Sequence, residues 1–336
     1  MAQKRFILRF CCGLSVTFLR TTAKMMKGRN QMRQTLKWIG IGLGSLILII
    51  GIAALVLYTV GRSRLNQSYD LDVAPLPIND DAAVLARGEH LVKAITACAE
   101  CHGQGLRGEA FFSDPALGTV VSANLTRGKG GVAADYSDED WIRAIRHGVD
   151  PEGKPLLVMP AQHFQNMSAT ALGAMIAYLK AVPPVDNVPP ETELTPLVHI
   201  LVGLGQLDDL VTADFVDHDA PLPEAPPEGA NPAYGEYLVS IATCRDCHGA
   251  ELAGGQAGPG EPIGPNLTPA GDLANWTQED FFRLIRSGET PAGRQILEFM
   301  PWQHYSQMSD EELTAIWLYL QSLEPVETPD EFAVEE

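Results

Sequence analysis

Two short stretches concentrate the reactive side chains of this 336-residue chain. Cys98, Cys101 and His102 stand in CAECH, and Cys244, Cys247 and His248 stand in CRDCH. Cysteines three apart rarely make a structural bridge. Zinc ribbons bring two Cys pairs within about 15–20 residues of each other, whereas Cys101 and Cys244 lie 143 positions apart. A thioredoxin-like redox pair needs a βαβ context, and the sequence offers none. Neither reading explains why His follows immediately, twice. Covalent haem attachment does. Thiols at i and i+3 lie on one side of a helical turn, so both can add to the two vinyl groups along one edge of a porphyrin. The next residue then offers its imidazole to the iron. The expectation is two haem c groups, held through Cys98, Cys101, Cys244 and Cys247, with His102 and His248 as proximal ligands.

These motifs sit in a repeat, the feature to seek before any other. GEHLVKAITACAECHG (88–103) matches GEYLVSIATCRDCHG (235–249), SANLT (122–126) matches GPNLT (264–268), and residues 137–185 match 277–326. One domain is used twice, each copy with its own core. In each copy a first helix, near 82–97 and 232–243, leads into the cysteine pair. A second helix begins at Ser137 or Thr277, where an N-cap oxygen precedes an acidic third position, and ends at Gly148 or Gly288. A last helix begins at Ser168 or Ser309 and carries Leu172, Met175, Ile176 and Leu179, or Leu313, Ile316, Trp317 and Leu320, at helical spacing. The fold class expected is all-α, a transmembrane helix followed by two tandem copies of one helical domain.

The helices' charged context sorts the chain into compartments. Residues 1–69 hold 11 of the 24 Lys+Arg and no acid, while all 42 Asp+Glu follow. An overall charge of −18 argues against a nucleic-acid binder. Trp38–Gly61 is 24 residues without a charge, enough to cross a bilayer core that needs about 20. Nine basic residues precede it and only Arg62 and Arg64 follow closely, which places the N-terminus in the cytoplasm and the acidic body outside. The location expected is a bacterial inner membrane, spanned once, with the haem domains in the periplasm. Met25, Met26 and Met32 each precede a basic stretch, and translation is expected to start at one of them, leaving Cys11 and Cys12 upstream.

The organisation expected is a basic segment 1–37, an anchor 38–61, a linker 62–81, a first domain 82–185, a Pro-rich linker 186–231, a second domain 232–326 and an acidic, disordered tail 327–336. Within the Pro-rich linker one apolar island, LVHILVGLGQLDDLV (197–211), is too short to span a membrane and is expected to pack as a short helix on one or both domains.

Each copy resembles a class I cytochrome c domain, through C-x-x-C-H-G, then N-L-T, an acid-capped helix ending in R-x-G, M-P, and a final helix with Tyr-Leu. The span 82–326 resembles the membrane-associated cytochrome c subunits of periplasmic dehydrogenases, which commonly carry three haem motifs where this chain has two. The resemblance carries the sixth ligand onto Met159 and Met300. His163 and His304, four residues on, and Met167 and Met308, each just before a helix N-cap, are the alternatives. Met167 and Met308 also suit a hydrophobic staple onto Leu172 and Leu313. Arg143, Arg146, Arg283 and Arg286 either pair with haem propionates or line a solvated helix face. Pro265 is a candidate carbonyl partner for His248, and Ala123 stands at that place in the first copy.

The resemblance implies an electron carrier rather than an enzyme, with no catalytic residue. It would pass single electrons between a dehydrogenase or quinol-linked donor and a respiratory acceptor. Partners would be a dehydrogenase subunit, another cytochrome or an oxidase. A peroxidase, a thiosulfate-oxidising cytochrome or a fixed oxidase subunit is the alternative. A catalytic haem should have lost its distal methionine, and both copies keep M-P.

Overall fold

The computed structural model describes residues 4–258 and 261–332, with side chains of the first helix from Gln31 onward. Cys11, Cys12, Met25 and Met26 fall outside the described side chains, and residues 333–336 outside the described chain. The chain divides into two units, Met1–Thr59 and Val60–Glu336. The first is most of helix α1 (Lys4–Leu65). Its stretch Gln31–Leu65 is long and apolar enough to cross a membrane, and none of its most apolar window is buried. Ile47 and Leu48 are exposed to 70% and 64%, which water would not tolerate along a whole helix.

The second unit carries the two copies. In the first, α2 (Ala82–His90) runs into a π turn (Leu91–Ile95), followed by α3 (Ala99–His102), a hairpin of β1 (Ala110–Asp114) and β2 (Gly118–Val121), α4 (Asp138–His147), α5 (Ala161–Phe164) and α6 (Ala169–Ala181). A linker contributes β3 (Glu193–Leu194) and α7 (Pro196–Gly203). The second copy has α8 (Pro232–Ile241), α9 (Cys244–His248), β4 (Gly255–Gln256), β5 (Ile263–Gly264), α10 (Gln278–Ser287), α11 (Trp302–Tyr305) and α12 (Asp310–Ser322).

The first and last helices of each copy cross closely. A Cβ on Gly88 of α2 would lie 2.0 Å from the Ala174 carbonyl oxygen of α6, and one on Gly235 of α8 would lie 2.0 Å from that of Ala315 on α12. Only glycine lets these backbones meet. The second helices are held at both ends as their sequences dictate. Ser137 with Asp140, and Thr277 with Asp280, form reciprocal capping boxes, and Gly148 and Gly288 close the helices at positive φ. Ser309 with Glu312 caps α12 likewise, while Ser168 caps α6 alone.

Three expectations need correction. The unit is largely helical but not wholly all-α. β1 pairs with β2, and β3 extends that sheet from the linker, 71 or more residues away in the chain. A two-residue strand drawn from a linker leaves no periodicity to read. The cores of the two copies are also not separate: Leu91, Ile95, Phe164 and Met167 belong to one continuous buried cluster with Leu238, Ile241, Tyr305 and Met308. Finally, the tail is ordered as far as Thr328 and Phe332, because Thr328 accepts a hydrogen bond from Asn266 Nδ2 at 3.1 Å and a 3-10 turn follows at Asp330–Phe332.

The apolar island behaves as expected and chooses the first copy. Val198, Val202, Val211 and Ala213 are buried. The Val158 N–H donates to the Leu210 carbonyl at 3.0 Å and the Thr212 hydroxyl to the Met159 carbonyl. Arg64, past the anchor, pairs with Asp208 and, at 2.9 Å, with Asp214.

Candidate haem sites

Each motif forms a single helical turn between two left-handed residues. Ala97 and Thr243, immediately before the first cysteine, have φ of 46° and 57°. Gly103 and Gly249, immediately after the histidine, have φ of 69° and 79°. A non-glycine residue in this region costs of order 1 kcal/mol or more and persists only where the surroundings enforce it. Its occurrence at the same place twice marks a backbone shape that the site requires. At Gly249 a Cβ would also lie 2.4 Å from the Gly254 carbonyl oxygen, so the glycine after each histidine is structural.

The turn presents both thiols and the imidazole together. In the first copy Cys98, Cys101, His102, Trp141, Met159 and Met175 line one cavity of about 560 Å³, within the range of cofactor pockets. The lining includes Met159 but neither His163 nor Met167. The Trp141 Nε1–H, on a residue 2% exposed, has no hydrogen-bond partner. An unsatisfied buried donor is costly, and this one is on the wall of a cavity that a group with acceptor oxygens would fill. In the second copy Cys244 and Met300 pack against the same core, and the Tyr305 hydroxyl of α11 donates to the Ala242 carbonyl at 2.8 Å, two residues before Cys244.

Both imidazoles are held through Nδ1 by a backbone carbonyl. His102 Nδ1 lies 2.7 Å from the Ala123 carbonyl, and His248 Nδ1 lies 2.8 Å from that of Pro265. With Nδ1–H donating, Nε2 carries the lone pair, the arrangement that orients a metal-ligating histidine. Burial lowers both pKa values, which keeps the rings neutral. The Pro265 carbonyl partners His248 as expected, and the Ala123 carbonyl serves the first copy equally well, since the backbone and not the side chain accepts.

Burial pushes the Cys101 and Cys247 thiols up to about 11 and Cys244 up to about 12, and it raises Cys98 as well. Apolar surroundings of this kind hold the four thiols protonated. Among the described residues no three or more His, Cys, Asp and Glu side chains converge on a metal site. The chemistry of the donor set fits a thioether-bound haem.

The remaining candidates have protein partners. Met167 and Met308 are buried to 0% and 3% exposure in the core, as a staple residue should be. Arg143 pairs with Asp140 at 2.6 Å and Arg283 with Asp280, while Arg286 reaches the Met308 carbonyl at 2.6 Å and Asp310 at 2.7 Å. Arg146 donates to the Ala220 carbonyl at 2.5 Å. Arg143, Arg283 and Arg286 are thereby explained without a propionate, whereas the buried Arg146 Nη1 has no hydrogen-bond partner. Asn124 and Asn266 of N-L-T are buried and hold the chain leaving each last helix, donating to the Val185 carbonyl at 2.8 Å and to that of Val326 at 2.7 Å. Such burial excludes the glycosylation that the motif formally allows.

A cysteine pair and histidine on a left-handed-flanked turn, lining one cavity with a methionine in the first copy, fit a c-type cytochrome site. The model of the family described as cytochrome c oxidase, cbb3-type, subunit III matches residues 83–179 and 230–320, and the chain belongs to this family. It is 28% identical over 272 residues to the fructose dehydrogenase cytochrome subunit of Gluconobacter japonicus, covering 74% of this chain and 54% of that one. It is 28% identical over 278 residues to the cytochrome c subunit of the quinone alcohol dehydrogenase of Gluconobacter oxydans, covering 73% and 56%. A diheme cytochrome c-type protein of Cereibacter sphaeroides is 26% identical over 287 residues, covering 75% of this chain and 92% of the relative. The chain spans about half the length of the two dehydrogenase subunits.

Proposed function

We propose that the chain is a membrane-anchored dihaem cytochrome c. It would carry single electrons from a dehydrogenase or quinol-linked donor to a respiratory acceptor, with residues 82–185 and 232–326 as its two haem domains. Haem c supplies one-electron redox chemistry when attached. The residues that would hold it are Cys98 and Cys101 with His102 and Met159, and Cys244 and Cys247 with His248 and Met300. The Ala123 and Pro265 carbonyls fix the ring tautomers, the apolar walls exclude water, and a thioether ligand favours a high potential.

The observation that carries this reading is the duplicated turn with each imidazole Nδ1 already held by a backbone carbonyl. The dehydrogenase as donor is supported by the names of the relatives, which are cytochrome subunits rather than catalytic subunits. The apolar stretch of α1 and the nine basic residues before that stretch support an inner-membrane anchor with the body in the periplasm. The strongly acidic body would make association with a partner depend on salt.

Haem stoichiometry tests the proposal. The full chain, expressed with the cytochrome maturation machinery, should carry two covalently bound haems by pyridine haemochrome assay and intact mass. One haem, or bound zinc, would contradict it.

A further inference from the structure

The contacts between the two copies obey a rule that neither copy's sequence states. His163 lies four residues after Met159, and its Nε2 meets Asp246 Oδ1 at 2.5 Å. Asp246 is the second of the two residues between the cysteines of the second motif, next to Cys247. His304 lies four residues after Met300, and its Nε2 meets Glu100 Oε1 at 2.7 Å. Glu100 holds the matching place in the first motif, next to Cys101. Each copy thus sends the same histidine to the same position of the other copy's haem motif.

Further pairs follow the same symmetry. His90 reaches Glu312 near the start of α12 at 2.7 Å, and its counterpart Tyr237 accepts from the Ser168 N–H at the start of α6 at 3.3 Å. Arg87 and Tyr234 are counterparts of each other, and they touch: Arg87 Nη2 donates to the Tyr234 hydroxyl at 2.9 Å. Equivalent residues in mutual contact are the signature of a two-fold axis, so the interface is isologous, like that of a symmetric dimer joined into one chain.

From this geometry we infer that His163 and His304 are positioning residues that dock each methionine loop onto the other copy's haem motif and make the pair a junction for electron exchange between the two sites. The inference rests on the dihaem reading above. Each hydrogen bond links the loop bearing one iron's methionine to the residue beside a thioether cysteine of the other site, and the link is made twice. His163 and His304 keep 11% and 17% of their side chains exposed, so both bonds are partly screened from water. Tyr305, buried on α11 next to His304, donates its hydroxyl to the Ala242 carbonyl at 2.8 Å, two residues before Cys244. The step is one-electron exchange: one site is oxidised by one electron as the other is reduced by one. No bond is made or broken and no proton moves.

The test uses the full-length protein in detergent, with His163→Ala/His304→Ala compared with His163→Gln/His304→Gln. Haem content and the methionine absorption signature are recorded for each variant. The rate of exchange between the haems is then followed after partial photoreduction. With two haems retained, the Ala pair should exchange more slowly than the unmodified protein. The Gln pair, still able to donate to the carboxylates, should keep the unmodified rate. A haem-replete Ala pair exchanging at the unmodified rate overturns the inference, as does a Gln pair that falls as far as Ala. Should the Ala pair lose haem, electron paramagnetic resonance of the unmodified ferric protein decides: mutually broadened signals support the junction, and two independent centres overturn it. Fewer than two haems in the unmodified chain would instead refute the dihaem reading.

Discussion

Glu312 is where the two copies are most firmly tied, and replacing it by Gln puts a number on that tie. Its carboxylate is 5% exposed. It accepts from the Ser309 N–H at 2.8 Å, from Arg87 at 3.1 Å, and meets His90 Nε2 at 2.7 Å. Burial alone would raise its pKa. The His90 ring, the Ser309 N–H and the Arg87 guanidinium outweigh burial and bring it from 4.5 down to about 2. A carboxyl depressed in the folded state contributes stability that is present above its unfolded value and is lost as the pH falls toward the folded one. At about 1.36 kcal/mol per unit, that contribution is about 3 kcal/mol at neutral pH. Glu312→Gln keeps the shape and the bond from Ser309, so the expected loss is about 2–3 kcal/mol near pH 7. The difference from the parent should shrink below about pH 4 and be nearly gone by about pH 2. Urea unfolding of the full-length protein in detergent measures it without the ionic screening that guanidinium chloride adds. A loss below about 0.5 kcal/mol near pH 7, or one unchanged between about pH 7 and 3, would refute the reasoning.

Gly88→Ala and Gly235→Ala should each cost about 1–3 kcal/mol by forcing a helix crossing apart, read as a lower melting temperature. Met159→Ala and Met300→Ala should each lower the potential of one haem in a redox titration. The second should also yield the more water-accessible, high-spin site, because Leu297 and Phe299 beside Met300 are 63% and 43% exposed while the linker covers the first copy's loop. Cys101→Ala should remove or cripple one haem and also lower the temperature at which the other is lost, because the cores are continuous; an unchanged second haem would show that they act independently.

Much of the candidate site was legible because the chemistry proposed for it demands residue types at fixed spacing. C-x-x-C-H, M-P and the capping residues of α4, α10 and α12 are local signals, and their elements formed where local signals placed them. The reading failed where one copy met the other or met the linker. His163 and His304 stood out as recurring histidines, yet their partners lie 83 and 204 residues away in the chain, beyond any local pattern. The short strands went unseen for the same reason, since β3 exists only because the linker returns to β2. Ala97 and Thr243 show a further limit. Their residue types give no hint of a left-handed backbone, and only the duplicated geometry reveals it.

The central claim is that two closed, methionine-ligated irons sit in this chain. An anaerobic redox titration of the full-length protein, followed in the visible and near infrared, tests it most directly. Two low-spin haems at high potential, both with the methionine charge-transfer band, are the result expected. A high-spin haem, or a low-potential haem without that band, would contradict it and point to a site open to substrate.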